Sequence, residues 1–128
     1  MRILPLIACL AMPANAQDAD LGQATFMDAC ASCHGAAADG SGPMAEILTV
    51  PVPDLTDLAA RYDGTFPWLR VVHVVDGRTG LRGHGGAMPL FGSLFKGDTA
   101  VADAPDGSPV IVSKRVLDVV EYIESLQQ

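Results

Sequence analysis

Apolar residues recur at helical spacing in three stretches of the chain, and glycine and proline separate them. Residues 21–31 carry Leu21, Ala24, Phe26 and Met27 at mostly helical intervals, behind the cap candidates Asp18 and Asp20. Residues 68–76, WLRVVHVVD, lie between Pro67, which suits a first helical turn, and Gly77, which suits the residue after a last one. Residues 113–127 put Val116, Val119, Val120, Ile123 and Leu126 on one stripe behind the cap candidate Ser113. Between these, MAEIL (44–48) has length for one or two turns. Pro51 to Pro53 must run extended, because proline removes a donor and restricts the residue before it. Asp54 suits the cap of a helix over 55–62 that ends at Gly64. Residues 35–43 and 78–97 are glycine-rich and read as loop. There is no internal repeat and no strand-like alternation of any length, so the pattern predicts an all-α chain.

The first residues have a different grammar. MRILPLIACLAMPANA has a single Arg2, an apolar run from Ile3 to Met12 and the small-residue ending Ala14-Asn15-Ala16, which together read as a secretory signal over 1–16, cleaved before Gln17. Leu6 to Cys9 matches a lipoprotein box only superficially, since eight residues are too few to precede Cys9. The expected product is one domain over 17–128, exported to the periplasm and not inserted in a membrane. Its most apolar remaining run, FPWLRVVHVV, is broken by Arg70 and His73. The net charge of −7 becomes one unit more negative when Arg2 is lost. That balance argues against nucleic acid and anionic membranes as partners, which are bound by clustered lysine and arginine.

After such cleavage the remaining cysteines are Cys30 and Cys33, in DACASCHG. Thiols at i and i+3 lie on one side of a helical turn. Cys-x-x-Cys followed by His34 is the attachment pattern of c-type haem, with the histidine as a ligand to the iron. A structural zinc site would need a second Cys or Cys/His pair, and a thioredoxin-like dithiol would need a βαβ context. A disulfide closing so short a loop would stabilise little. Haem attachment is the reading these residues favour. Aromatic residues make up only 5% of the chain, and a buried porphyrin would supply the flat apolar body they otherwise provide.

The other face of the iron then decides the chemistry, because a strong sixth ligand restricts it to electron exchange whereas an open position admits small ligands. Met88, in GHGGAMPLFG, is the candidate: a soft thioether in a glycine-rich loop stiffened by Pro89. The rival reading makes Met88 an ordinary core filler. His84 is the alternative ligand, while His73, among valines, and Met44, near the attachment site, read as packing.

CASCHG, then GSGP, then GAMPLFG, closed by a helix containing VVEYIESLQ, resembles the class I monohaem cytochromes c, in particular bacterial periplasmic ones of the type also found as domains of oxidase subunits. The likeness runs from about Asp20 to Leu126. It implies an all-α fold of three to five helices around one haem c bound covalently through Cys30 and Cys33, with His34 and Met88 as the iron ligands. It also implies that the first and last helices cross at Gly22, Phe26 and Tyr122, and that the Pro43 carbonyl accepts the His34 ring N–H, as a bond that fixes the ring. The function implied is that of a monomeric, non-enzymatic carrier of single electrons, meeting redox donor and acceptor proteins transiently. A relay subunit of a dehydrogenase or oxidase, and a haem sensor or peroxidase-like enzyme if Met88 is not a stable ligand, are the alternatives. The segment FKGDTAVADAPDGSPVIVSK is longer than in compact members and reads as a solvated acidic loop holding Asp98, Asp103 and Asp106, or else as a docking surface for a basic partner. Lys114 can pair with Asp118 at i, i+4. Trp68, Arg61, Arg78 and Arg82 are candidate neighbours of the haem propionates.

Overall fold

The computed structural model describes residues 16–78 and 88–128. The expectations for the N-terminal segment, Cys9 included, and for Arg82 and His84 lie outside the described residues. In order, the described elements are α1 (Ala16–Ala29), α2 (Ala31–His34), a 3₁₀ turn (Ala45–Ile47), α3 (Leu58–Arg61), α4 (Trp68–Asp76), β1 (Thr99–Asp103), β2 (Pro109–Ser113) and α5 (Lys114–Ser125). None of the described helices is long and apolar enough to cross a membrane.

The stripes of α4 and α5 become the core, but that of α1 does not: of Leu21, Ala24, Phe26 and Met27 only Phe26 turns inward and the other three are exposed, because α1 meets the interior only along its crossing with α5. α5 buries Val116, Val119, Val120 and Ile123, and α4 buries Val71, Val72 and Val75 against the same interior. α1 crosses α5 at Gly22, where a Cβ would lie 2.0 Å from the Asp118 carbonyl oxygen and 2.9 Å from the Tyr122 Cβ. Only a residue without a side chain lets the two backbones approach so closely. One turn further on, the fully buried Phe26 meets Tyr122 with ring centroids 5.4 Å apart and planes tilted by 55°, a favourable aromatic geometry. The first turn of α5 carries the expected ion pair, Lys114 Nζ donating to Asp118 Oδ1 at 2.7 Å. α4 ends as its sequence predicts, with Gly77 in the left-handed region at φ 87°.

The segment between the Met88 region and α5 is a hairpin, which corrects both the all-α expectation and the reading of an acidic loop. β1 and β2 pair antiparallel, with Val101 opposite Ile111 and Asp103 opposite Pro109. Val110 and Val112 turn inward with the half-buried Ala100 and Ala102, while Val101 and Ile111 face outward. β-Branched residues favour such a half-covered surface. Each strand is only five residues long, and in β1 the inward positions are alanines, so the alternation has almost no hydropathy contrast. The turn is closed by Asp106, whose carboxylate accepts the backbone N–H and the hydroxyl of Ser108. Asp98, Asp103 and Asp106 remain exposed.

Two expected caps work differently. Ser113 precedes α5, but its Oγ makes no capping bond, and the helix start is tied instead by Lys114 N–H donating to the Asp98 carbonyl at 2.9 Å. Asp54 uses its carboxylate on Thr56 two residues ahead, at 2.8 Å to N and 2.7 Å to Oγ1, so the helix expected over 55–62 is reduced to the single turn of α3. The C-terminus locks this region in place. Gln127 accepts from the Ala59 N–H and donates to the Leu55 and Ile123 carbonyls.

Candidate functional site

α1 and α2 run almost continuously through the cysteines: Cys30 N–H donates to Phe26 O and His34 N–H to Cys30 O. One helical turn therefore carries both thiols, and the imidazole follows directly. Gly35 ends it at φ 80°, a conformation in which a side chain would be strained. The chain then folds back on this turn, with Gly42 N–H on Cys33 O and Met44 N–H on Ser32 O. A Cβ on Gly42 would lie 2.5 Å from that Cys33 carbonyl, so glycine is needed here for space rather than for φ.

Cys30, Cys33, His34 and Met88 all line one cavity of about 430 Å³. Its walls are apolar: Phe26 from α1, Val71 and Val75 from α4, Val119 and Ile123 from α5, and the extended stretch from Leu48 to Leu55. Size and lining match those of a site that buries a small organic group. Both cysteines are free thiols. Cys30 is buried, and burial, with a smaller contribution from the neighbouring Cys33, pushes its pKa up to about 11. It is a neutral thiol at physiological pH, in keeping with an apolar wall.

The imidazole of His34 is buried and held from behind. Its Nδ1 lies 3.4 Å from the Pro53 carbonyl oxygen. A carbonyl can only accept, so Nδ1 carries the proton in this contact. This corrects the expectation for Pro43, which is exposed in the turn beside the attachment site. Pro53 fills the role because Leu55 N–H bonds Ala38 O at 2.8 Å, drawing the Pro51 to Pro53 stretch across the face of α2.

Of the other candidates, Arg61 lines the cavity, donating to Asp54 O and to the Asp57 carboxylate. Arg70 and Tyr62 line it too, with the guanidinium 5.8 Å from the ring centroid. Neither was singled out by sequence, although Arg70 already interrupts an apolar run. Trp68 and Arg78 are not among the lining residues. His73 is half-buried, facing a separate depression on the far side of α4. Met44, expected to pack, is 42% exposed. Among the described residues no three His, Cys, Asp or Glu side chains converge as a metal site would require.

The family model Cytochrome c matches residues 19–127. The chain belongs to the cytochrome c family. The family binds haem c covalently through cysteine and uses it for electron transfer. Two free thiols at the required spacing, opening with a pre-oriented imidazole into one apolar cavity, fit that group. In this cytochrome c the helices are accompanied by the β1–β2 hairpin. Neither the curated proteins nor the solved structures contain a significant match to this cytochrome.

Proposed function

We propose that this cytochrome c is an exported, periplasmic, single-electron carrier in which His34 and Met88 are the two axial ligands of one haem c. The observation that carries the reading is the convergence of Cys30, Cys33, His34 and Met88 on one cavity with apolar walls. Haem c, when bound, supplies an iron that gains and loses one electron. The protein's part is to hold it and keep it dry. Cys30 and Cys33 would hold it, each adding its S–H across a vinyl group of the porphyrin so that the sulfur bonds one vinyl carbon and the proton goes to the other. His34 presents Nε2 because Nδ1 donates to Pro53 O, a bond that also makes the ring more basic. Met88 supplies a soft sulfur that favours the reduced metal. Arg61 and Arg70 offer cations at the cavity for the anionic groups of the porphyrin. Two retained protein ligands in a water-poor pocket leave little to rearrange when the charge changes.

The partners proposed are redox proteins met through a small, short-lived interface, with basic surfaces steered by the negative charge of the carrier, −7 for the full chain and one unit more negative once Arg2 is lost. The decisive experiment is the optical spectrum of the dithionite-reduced holoprotein before and after carbon monoxide. An unchanged spectrum supports a closed six-coordinate iron and electron carriage. A prompt shift means an accessible iron and moves the reading to a sensor or peroxidase-like enzyme.

A further inference from the structure

Met88 begins a short arm, residues 88–95, whose seating is visible contact by contact. Leu90 packs on Gly77, where an added Cβ would lie 3.1 Å from the leucine. Phe91 N–H donates to Val75 O at 2.9 Å. Gly92 sits directly over Asp76, close enough that a Cβ would lie 2.3 Å from the backbone carbonyl oxygen and 2.4 Å from the carboxylate Oδ1. Three consecutive residues of the arm thus rest on the last turn of α4 and the glycine that ends it. Within the arm Phe91 stacks on Phe95 with centroids 5.0 Å apart, and the Arg115 guanidinium of α5 caps Phe95 at 4.7 Å.

The Asp76 side chain under Gly92 is only 10% exposed. A carboxylate so covered needs a partner, or it turns out to water. Its partner is Arg78, whose Nε donates to Asp76 Oδ2 while Nη2 donates to the Ile111 carbonyl on β2. One planar guanidinium therefore joins the end of α4, which floors the Met88 arm, to the hairpin.

We infer that Arg78 is a positioning residue for Met88: by bridging the Asp76 carboxylate to the Ile111 carbonyl it fixes the floor on which residues 90–92 rest, and so keeps the thioether at the cofactor. The inference depends on the proposal that Met88 is the sixth ligand. It gives the hairpin a task that the helical core leaves undone. Without the guanidinium, the Asp76 side chain rotates towards solvent, Gly92 keeps the backbone carbonyl beneath it but loses the carboxylate half of its seat, and the detached state of Met88 gains population. An external ligand that binds only that state then binds more tightly in direct proportion.

The test is cyanide titration of the ferric holoprotein, together with the weak red charge-transfer band of a thioether on ferric haem and the reduction potential. The parent, Arg78→Ala, Arg78→Lys, Asp76→Asn and Met88→Ala are compared at a temperature well below all their melting points. Arg78→Ala is expected to lower the cyanide dissociation constant roughly tenfold, equivalent to ~1.4 kcal/mol of lost seating, and to weaken the red band. Arg78→Lys should fall between parent and alanine, because an ammonium keeps the charge but not the fork. Asp76→Asn keeps the shape over Gly92 without the charge and should move in the same direction, deciding the matter if the alanine variant does not fold. If Arg78→Ala and Asp76→Asn melt earlier but keep the parent's cyanide affinity, band and potential, while Met88→Ala binds cyanide tightly, Arg78 is merely structural and the inference is wrong. If Met88→Ala itself matches the parent, the ligand assignment fails first and the positioning role with it.

Discussion

Replacing Gly22 by alanine sets two effects against each other. Helix propensity favours alanine over glycine by ~1 kcal/mol inside a helix. The added Cβ, however, would sit 2.0 Å from Asp118 O and 2.8 Å from its carbonyl carbon, both backbone atoms that cannot swing away. Since Cβ atoms essentially never approach closer than 3.0 Å, α1 and α5 must part by about 1 Å. A radial gap of that size forfeits a quarter to a half of each dispersion contact across it. The loss falls on Phe26, Val119, Val120 and Ile123, all buried along the crossing or beside it. Overpacking costs of this kind run to ~3 kcal/mol or somewhat more, so the clash outweighs the propensity gain and leaves a net loss of about 2–3 kcal/mol. For a domain of this length that is a fall of ~10–20 °C in melting temperature. Gly64→Ala is the matched control: φ there is +81° but nothing lies within 4 Å, so it tests backbone strain alone and should cost about 1 kcal/mol. The assay is thermal melting of both holoproteins by circular dichroism. A Gly22→Ala melting point within ~3 °C of the parent would refute the tight crossing.

Three further outcomes are expected. Asp39, Asp54 and Asp106 each accept a hydroxyl and a backbone N–H from the residue two ahead, which holds their carboxyls below the usual value of 3.8 in the folded state. Their folded pKa values are depressed, so their contribution is present above that pH and is lost as pH falls through the folded values; asparagine at all three should flatten the acid limb of a denaturation series, and an unaltered limb would count against these turns. Lys114→Met leaves the Asp118 side chain, 8% exposed, without the cation at 2.7 Å. Because the lysine is 45% exposed and screened, the loss should be about 1–2 kcal/mol by urea denaturation, above that of an ordinary surface pair, and no change would show the pair to be idle. Electron transfer to a basic redox partner should slow as ionic strength rises, and a flat or rising series would remove the proposed steering.

The site was legible where it depends on chain-local geometry. Thiols at i and i+3 and a following imidazole share one turn whatever surrounds them, which is why Cys30, Cys33 and His34 could be named from spacing. The stripes of α4 and α5 were legible too, because a face with one apolar residue per turn has one place to go. The hairpin escaped because alanine at its inward positions erased the contrast that marks a strand.

What the sequence alone determined, then, was the attachment turn and the faces that α4 and α5 bury, whereas the close crossing at Gly22 and the exposure of Leu21 and Met27 on α1 belong to the packing. The tertiary structure decided the rest. Every proline carbonyl has the same chemistry, so nothing local distinguishes Pro53 from Pro43 behind His34; the choice is made by where the Leu55 to Ala38 hydrogen bond draws the chain. Likewise, Arg78 bridged α4 to the hairpin because packing brought the Ile111 carbonyl, 33 residues away in sequence, within reach of a guanidinium already held by Asp76.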